Sequence, residues 1–156
     1  MAMMADSKVF IDTNALIYLN NRNHLFHKDV LYTIESLQNE GAYLVISDQT
    51  IKEFLVVKSN LLQIENRFDV SILKSDYEFI VKSFAVLPNP ENILNRLLSL
   101  IGQFKLKGKI IHDAFIAAFC LESGISKIFT VNVKDFTIFS TDGLEIVALR
   151  KAKDNE

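Results

Sequence analysis

The side chains of this sequence that are best suited to chemistry are oxygen-bearing groups placed just after predicted strands or near the start of predicted helices. Five such side chains occur: Asp12, Glu53, Asp113, Asn132 and Asp135. Asp12 ends the first predicted strand, Glu53 lies about one turn into the helix after the second strand, and Asp113 opens a largely apolar helix. Ligands of open parallel sheets bind outside the carboxyl ends of the strands. We therefore expect these side chains to lie close together.

Acids gathered in this way need either protons or a cation. Two like charges about 4 Å apart repel each other by roughly 4 kcal/mol at an effective dielectric constant of 20. The sequence supplies no accompanying Cys and no well-placed His pair, so these oxygen ligands favour Mg²⁺ or Mn²⁺ over Zn²⁺. A carboxylate-held Mg²⁺ keeps waters and completes its shell with substrate phosphate. Phosphodiester hydrolysis is the chemistry that this donor set favours.

The elements that must position these acids alternate along the chain. Short, continuous apolar runs predict strands over Lys8–Ile11, Tyr43–Ile46, Phe84–Leu87, Ile128–Val131 and Glu145–Leu149. Helical spacing predicts helices over about Thr13–Leu19, His27–Glu40, Gln49–Ser59, Asp76–Ser83, Pro90–Phe104 (with Asn89 as its N-cap) and Ile111–Glu122. Buried strands that alternate with helices are typical of a parallel sheet covered on both faces. The sequence thus predicts a three-layer α/β/α fold with a central parallel sheet.

Four motifs follow one another along the chain: Asp12-Thr13-Asn14, Ser47…Thr50…Glu53, His112–Ala118 and Thr130–Phe136. In this order they resemble the PIN domain, and in particular the VapC toxins. The resemblance covers nearly the whole chain, from about Lys8 to Val147. The last two motifs are its most specific parts.

The resemblance implies a role for each matching residue. Asp12, Glu53 and Asp113 would be the metal-binding acids, and Thr13 and Asn14 would shape the pocket near Asp12. The chain departs from the family at the fourth acid, because Asn132 stands where many members carry Asp. Asp135 either compensates as a ligand and catalytic acid or only caps the next turn. Thr130 either orients a water in the pocket or satisfies a strand end.

The function implied by the resemblance is that of a Mg²⁺- or Mn²⁺-dependent endoribonuclease, the toxin of a type II VapBC-like pair. A homodimer, an antitoxin partner, a single-stranded or loop RNA substrate and a 5′-phosphate product would go with it. Two alternatives remain open. One is a PIN nuclease that acts in RNA maturation or on structured DNA, and the other is an inactive PIN module that binds RNA or protein.

The lysines before Asp113, and the acids at the starts of helices, each have more than one interpretation. Lys105, Lys107 and Lys109 lead into the helix of Asp113, where they either contact substrate phosphates or form a solvated loop. Taken by itself, Asp12 could simply be a helix N-cap, and Asp113 could likewise stabilise a helix N-terminus. No glycine-rich turn follows the first strand, so a dinucleotide-binding oxidoreductase is excluded.

Length, composition and net charge limit the class of protein and its domain organisation. The chain has 156 residues, 49% of them hydrophobic and 23% charged, with a net charge of −2. This predicts a single domain over residues 8–149, preceded by a flexible N-terminus (1–7) and followed by a charged tail (150–156). No apolar run is long enough to cross a bilayer, so no membrane partner is expected. The N-terminus does not resemble a secretory signal, and the single cysteine, Cys120, fits a reducing interior; a cytoplasmic location is expected.

Overall fold

A computed structural model describes residues 7–154 of the chain and contains a parallel five-stranded sheet in the order β3-β2-β1-β4-β5. The strands are β1 (Lys8–Ile11), β2 (Tyr43–Ser47), β3 (Ala85–Leu87), β4 (Lys127–Phe129) and β5 (Glu145–Val147). The helices are α1 (Thr13–Asn20), α2 (His27–Asn39), α3 (Asp48–Ile64), α4 (Val70–Ser83), α5 (Ile93–Phe104) and α6 (Ile110–Glu122). Two stretches of 3-10 helix, Val133–Asp135 and Thr137–Asp142, connect β4 to β5.

Each face of the sheet carries its own hydrophobic core. Phe10, Val45 and Ile128 point to the face covered by α5, α6 and the 3-10 segments. Their strand neighbours Ile11 and Phe129 point to the opposite face, with the buried residues of α1, α2 and α3. Because successive strand residues alternate between faces, strands that are apolar at every position require helices on both sides. The three-layer α/β/α prediction is confirmed.

Several predicted boundaries need correction. Helix α3 runs on to Ile64 rather than Ser59, and α4 begins at Val70, where the Asp69 side chain accepts a hydrogen bond from the Ser71 backbone N–H at 2.8 Å. The prediction of a helix start at Pro90, capped by Asn89, is wrong. The Ile93 N–H donates to the Pro90 carbonyl at 3.2 Å, so an i→i+3 turn precedes α5.

The structure describes most of the C-terminal tail but little of the predicted N-terminal segment. Residues 1–6 of the predicted flexible N-terminus, and the last two residues of the tail, lie outside the described residues. The start of the tail is held against α2, since the Arg150 N–H donates to Thr33 Oγ1 at 2.8 Å and the Ala152 N–H donates to Asp29 Oδ1 at 2.9 Å. Within residues 7–154 no helix is both long and apolar enough to span a membrane.

Candidate active site

The sheet order creates a crevice beside the central strand. From β1 the chain builds outward to β2 and β3, and later returns to the other side of β1 to form β4 and β5. The connection after β1 and the connection after β4 therefore run in opposite directions along the sheet. A crevice forms between the carboxyl ends of these two strands, and open α/β sheets bind ligands in such a crevice. The Asp12 N–H donates to the Phe129 carbonyl at 3.0 Å, so Asp12 and the residues after Phe129 start side by side.

A cavity of about 630 Å³ opens at this point. The structure brings all five predicted oxygen-bearing side chains into its lining, together with Thr13 and Asn14. We call the part formed by Asp12, Glu53, Asp113, Asn132 and Asp135 the acidic end. Sequence positions up to 123 residues apart thus share one opening, as expected from their common place at strand ends. Their roles as ligands stay a prediction.

Asp12 is held rigidly at the floor of the acidic end. Its side chain is only 8% exposed. One carboxylate oxygen accepts the Thr13 backbone N–H at 2.8 Å, and the other accepts the Thr130 hydroxyl at 2.9 Å. The first contact makes Asp12 the N-cap of α1. Capping and a place in the cavity are therefore not competing interpretations, since one carboxylate has both.

The Thr130 hydroxyl takes part in three hydrogen bonds beside Asp12. Its hydroxyl donates to Asp12 and accepts from Asn14 Nδ2 at 3.3 Å and from the Asn132 N–H at 3.1 Å. Asn14 completes the arrangement by accepting the Val131 N–H at 3.2 Å. These contacts turn the chain away from the sheet after Phe129, which is why β4 ends before the predicted Val131. Thr130 fixes the orientation of Asp12 rather than merely satisfying a strand end.

Glu53 is oriented by donors on two helices. Thr13 Oγ1 donates to Glu53 Oε2 at 2.9 Å, and Gln49 Nε2 donates to Glu53 Oε1 at 2.9 Å. The start of α3 sets this register, because Ser47 Oγ caps the helix by accepting the Thr50 N–H at 3.3 Å. Gln49 was missed by the sequence analysis. Its spacing of four residues before Glu53 was the available signal, since such pairs face each other on a helix.

Burial and the repulsion between negative charges dominate the electrostatics of the acidic end, opposed at Asp113 by the charge of His112. Burial is the largest cause that raises the pKa of Asp12 to about 6, and the charges of Glu53 and Asp135 add to it against the hydrogen bonds of Thr130 and Thr13. The pKa of Asp113 is also raised to about 6, first by burial and then by the charges of Asp135, Asp12 and Glu53. Asp135 acts on both, so the fourth negative charge comes from Asp135 and not from Asn132.

These residues fit a hard divalent cation by their donor chemistry. They offer only oxygen donors, and within residues 7–154 no Lys or Arg forms an ion pair with any of the four acids. In the same part of the chain no three acidic, His or Cys side chains are yet close enough to share one ion. Both oxygens of Asp12 and both oxygens of Glu53 accept hydrogen bonds from protein donors. Repelling carboxylates in one cavity are the arrangement that a cation draws together.

The lysines differ in their position relative to the cavity, and phosphate contact by Lys105, Lys107 and Lys109 stays a prediction. Lys105, Lys107 and Lys109 are exposed in the segment between α5 and α6, and they are not among the residues that line the cavity. Lys52, one residue before Glu53, does line it. Lys58 instead donates to Asn20 Oδ1 at 2.8 Å and lies 3.5 Å from Asp76 Oδ2, a contact that joins α1, α3 and α4.

The sequence analysis also missed the other half of the cavity. We call it the apolar end, formed by side chains of α1, of α3 and of the loop after α1: Ile17, Tyr18, His24, Val56, Val57 and Leu61. The signal was helical spacing, because Ile17 lies four residues after Thr13, and Val57 lies four residues after Glu53. Residues four apart share a helix face, so the residues that follow the acids along α1 and α3 extend the same opening.

Comparison with known proteins gives a family and a fold. The model of the PIN domain family matches residues 9–137. No curated protein sequence matches the chain significantly.

Several solved structures are similar to it. The structure of VapBC-1 from nontypeable Haemophilus influenzae has a TM-score of 0.67 at 20% identity, covering 90% of this chain and 97% of that one. The structure of VapC20 of Mycobacterium tuberculosis, described as a sarcin-ricin loop cleaving toxin, has a TM-score of 0.64 at 15% identity. The match covers 92% of this chain and 99% of that one. The structure of FitAcB from Neisseria gonorrhoeae has a TM-score of 0.63 at 21% identity, and the match covers 88% of this chain and 95% of that one. At these identities the likeness shows the fold.

Proposed function

The chain belongs to the PIN domain family, and from this premise we propose that it is a divalent-metal-dependent endoribonuclease. One observation carries the proposal: four carboxylates from separate parts of the chain, Asp12, Glu53, Asp113 and Asp135, line one cavity without an ion-pair partner among the described residues. Neutralising them inside the cavity requires protons or a cation. Because the raised pKa values of Asp12 and Asp113 lie near 6, these two carboxyls are mainly ionised at neutral pH, which favours the cation.

Asp12, Glu53 and Asp113 would hold Mg²⁺ or Mn²⁺, and Asp135 and Asn132 would complete the donor set. A bound ion of this kind lowers the pKa of water and stabilises charge on a phosphodiester. The protein's own part is positioning: Thr130 holds Asp12, while Thr13 and Gln49 hold Glu53. Water then attacks phosphorus and the bond to the 3′-oxygen breaks. The products are a 5′-phosphate and a 3′-hydroxyl.

Lys52 would contact a phosphate of the strand within the cavity, since it is among the residues that line it. Lys105, Lys107 and Lys109 would contact phosphates of the same strand outside it, since all three are exposed just before the helix of Asp113. Phosphate contacts of this kind position a nucleic acid without reading its sequence. RNA is the proposed substrate class, supported by the fold that the chain shares with a structure described as a sarcin-ricin loop cleaving toxin.

The proposed biological role is that of the toxin in a VapBC-like pair. One neighbour in fold is described as a toxin-antitoxin complex, from Klebsiella pneumoniae, and VapC20 of Mycobacterium tuberculosis is described as a toxin. An antitoxin that covers the cavity, a homodimer and a cytoplasmic location belong to this proposal. The charge of Asp135 acts on Asp113 and would stand in for the charge that Asn132 lacks, which favours the nuclease over the binding module.

A cleavage assay tests the proposal. The purified chain is incubated with a mixed RNA pool in Mn²⁺ or in chelator, beside Asp12→Asn and the exposed control Asp154→Asn. We expect cleavage by the wild type and by Asp154→Asn in Mn²⁺, 5′-phosphate ends, and none of this in chelator or with Asp12→Asn. Cleavage that ignores both chelator and Asp12→Asn would rule out the mechanism, and RNA binding without any cleavage would favour the binding module.

A further inference from the structure

The apolar end of the cavity has no role in the chemistry of the acidic end. Holding a cation and a phosphodiester calls for oxygen donors and cations, whereas Ile17, Val56, Val57 and Leu61 offer only hydrocarbon. Val56 is 53% exposed and Val57 is 39% exposed. Apolar side chains left open beside a reaction site point to a part of the substrate that is itself apolar and flat or compact. The volume of about 630 Å³ also lies in the range of pockets that enclose a small organic group.

A pair of stacked rings lines this end. The rings of Tyr18 and His24 lie with centroids 4.1 Å apart and planes inclined by 16°. Phe26 packs against both at a tilt, with centroids 5.5 Å from Tyr18 and 5.6 Å from His24. The His27 ring nitrogen Nδ1 lies 3.0 Å from the Tyr18 carbonyl, which ties α2 to the end of α1. The rings are thus held in place by their neighbours before any ligand arrives.

The His24 ring also presents a hydrogen-bonding group. Its Nδ1 accepts the Phe26 N–H at 3.1 Å, so in the neutral ring the proton is on Nε2. No acceptor within residues 7–154 contacts Nε2. Asn21 lines the cavity nearby, and its Oδ1 accepts the Asn23 N–H at 3.2 Å while its amide N–H₂ remains available. A flat ring system beside a small number of such groups is how proteins hold an unstacked base.

The distance along the helices suits a single nucleotide. On α3, Glu53 of the acidic end is followed four residues later by Val57, and on α1, Thr13, which donates to Glu53, is followed four residues later by Ile17. Four helical residues advance about 6 Å. A phosphodiester at the acids therefore places an adjoining sugar and base within reach of the Tyr18–His24 pair.

We propose that the apolar end is a nucleobase subsite in which a base next to the scissile phosphodiester packs against the Tyr18–His24 pair, between α1 and α3. The proposal rests on the proposed function, because the phosphate at the acidic end anchors the nucleotide. It adds the place where an unstacked base is held, which would give a physical reason for the single-stranded or looped RNA substrate that the resemblance implies. Stacking of a base on an aromatic side chain tolerates every base, and Asn21 and His24 Nε2 would supply the preference among them.

Binding of mononucleotides tests the subsite without any cleavage. The four nucleoside 5′-monophosphates and ribose 5-phosphate, which lacks a base, are titrated in Mg²⁺ into the wild type, and Kd is measured by calorimetry or NMR. We expect at least one nucleotide to bind about 5- to 150-fold more tightly than ribose 5-phosphate, the equivalent of about 1–3 kcal/mol for one stacked base. The resonances of Tyr18 and His24 should shift on binding.

Variants assign the effect to the ring pair. Tyr18→Leu should bring the nucleotides to the affinity of ribose 5-phosphate, whereas Tyr18→Phe, which keeps the ring, should retain most of the preference. Tyr77→Leu, a change of an exposed tyrosine of α4 outside the cavity, is the matched control. Should Tyr18→Leu fail to fold, as judged by thermal unfolding, His24→Ala in the loop carries the same test.

The outcomes separate the subsite from the nuclease. Equal binding of all four nucleotides and ribose 5-phosphate, or a base preference that survives both Tyr18→Leu and His24→Ala, overturns the subsite even when RNA is cleaved. A base preference that disappears in these variants supports it, even in a protein that cleaves no RNA in Mn²⁺, in which case the nuclease proposal alone fails.

Discussion

The acidic end and the apolar end of the cavity stand on the same two helices, about one turn apart, yet the protein holds them in different ways. At the acidic end both oxygens of Asp12 and both oxygens of Glu53 accept a hydrogen bond from a named donor. At the apolar end the valines of α3 are largely open. A catalytic arrangement must be held within fractions of an ångström, whereas a stacking surface tolerates more freedom. The contrast suggests that changes at the acidic end lower kcat and changes at the apolar end raise KM.

The largest expected effect is that of Asp113→Asn. We expect kcat/KM for RNA cleavage to fall at least about 100-fold, because loss of a single ligand should exceed the 10–100-fold cost of losing a group that only supports one. Tyr18→Leu should instead act mainly on KM. Steady-state kinetics on one defined RNA measure both. An Asp113→Asn protein with unchanged kcat would remove the distinction between the two ends.

Thr130→Val should give the next largest loss. The valine keeps the shape of threonine but removes the hydroxyl that orients Asp12 and accepts from Asn14 and Asn132. We expect a 10–100-fold loss of Mn²⁺ affinity or activity, and a fall of about 1–3 kcal/mol in the free energy of unfolding from the unpaired polar groups. Thr130→Ser, which keeps the hydroxyl, is the matched control. Equal activity in the valine and serine variants would mean that Thr130 has no part in orienting Asp12.

The pH dependence of activity follows from the raised pKa values of Asp12 and Asp113, both about 6. Protonated carboxyls are poor ligands, so kcat/KM should decline as the pH falls through about 6. Activity profiles from pH 5 to pH 8 at a Mn²⁺ concentration well below saturation, where protons and the ion compete for the same carboxylates, measure this. A profile that is flat down to pH 5 would contradict the assignment of both acids.

Activity declines at low pH, whereas the contribution of Asp113 to the free energy of unfolding of the metal-free protein should be larger at low pH. The folded pKa of Asp113 lies above the ordinary value of 3.8, so its proton stabilises the folded state at low pH, and that contribution is lost as the pH rises through about 6. Asp113→Asn should therefore match the wild type near pH 4 and exceed it at pH 7.5 by about 1 kcal/mol, a figure reduced for solvent screening. Urea unfolding in chelator measures the difference, and a variant less stable at pH 7.5 would contradict this account.

The smallest expected effect is that of Lys52→Ala. Loss of one phosphate contact should raise KM several-fold and lower the slope of log affinity against log salt by about 0.7 for single-stranded RNA. Lys74→Ala, an exposed change on α4, is the control. The triple change of Lys105, Lys107 and Lys109 to Ala should weaken only RNA long enough to extend beyond the cavity. Equal losses for short and long RNA would argue against that placement.

Sequence patterns predicted the layers of the fold and the place of the acids for the same reason. Strands buried on both faces are apolar throughout, so Asp12 marks the carboxyl end of β1. The apolar run of β4 predicted an end at Val131, two residues beyond its observed end at Phe129. Gly41 likewise ends α2 with a φ of 89°, a backbone conformation that glycine adopts readily. Such local rules need no knowledge of distant contacts.

The remaining features depend on contacts between distant segments. The choice between Asn132 and Asp135 turns on charge within one cavity, and the role of Thr130 turns on its distance to Asp12, 118 residues away. Lys105, Lys107 and Lys109 precede Asp113 closely in sequence but lie outside the cavity, whereas Lys52 faces it from the turn of Glu53. Tyr18 and His24 meet only because the loop after α1 folds back onto that helix.

Binding of Mn²⁺ to the metal-free protein tests the central claim most directly, since it asks whether the acidic end holds a divalent ion at all. Calorimetric titration at pH 7.5 should show saturable binding that weakens at pH 5, that is lost in Asp12→Asn and Asp113→Asn, and that Tyr18→Leu leaves unchanged. Equal affinity for Mn²⁺ in the wild type and in the double variant Asp12→Asn, Asp113→Asn would contradict the account.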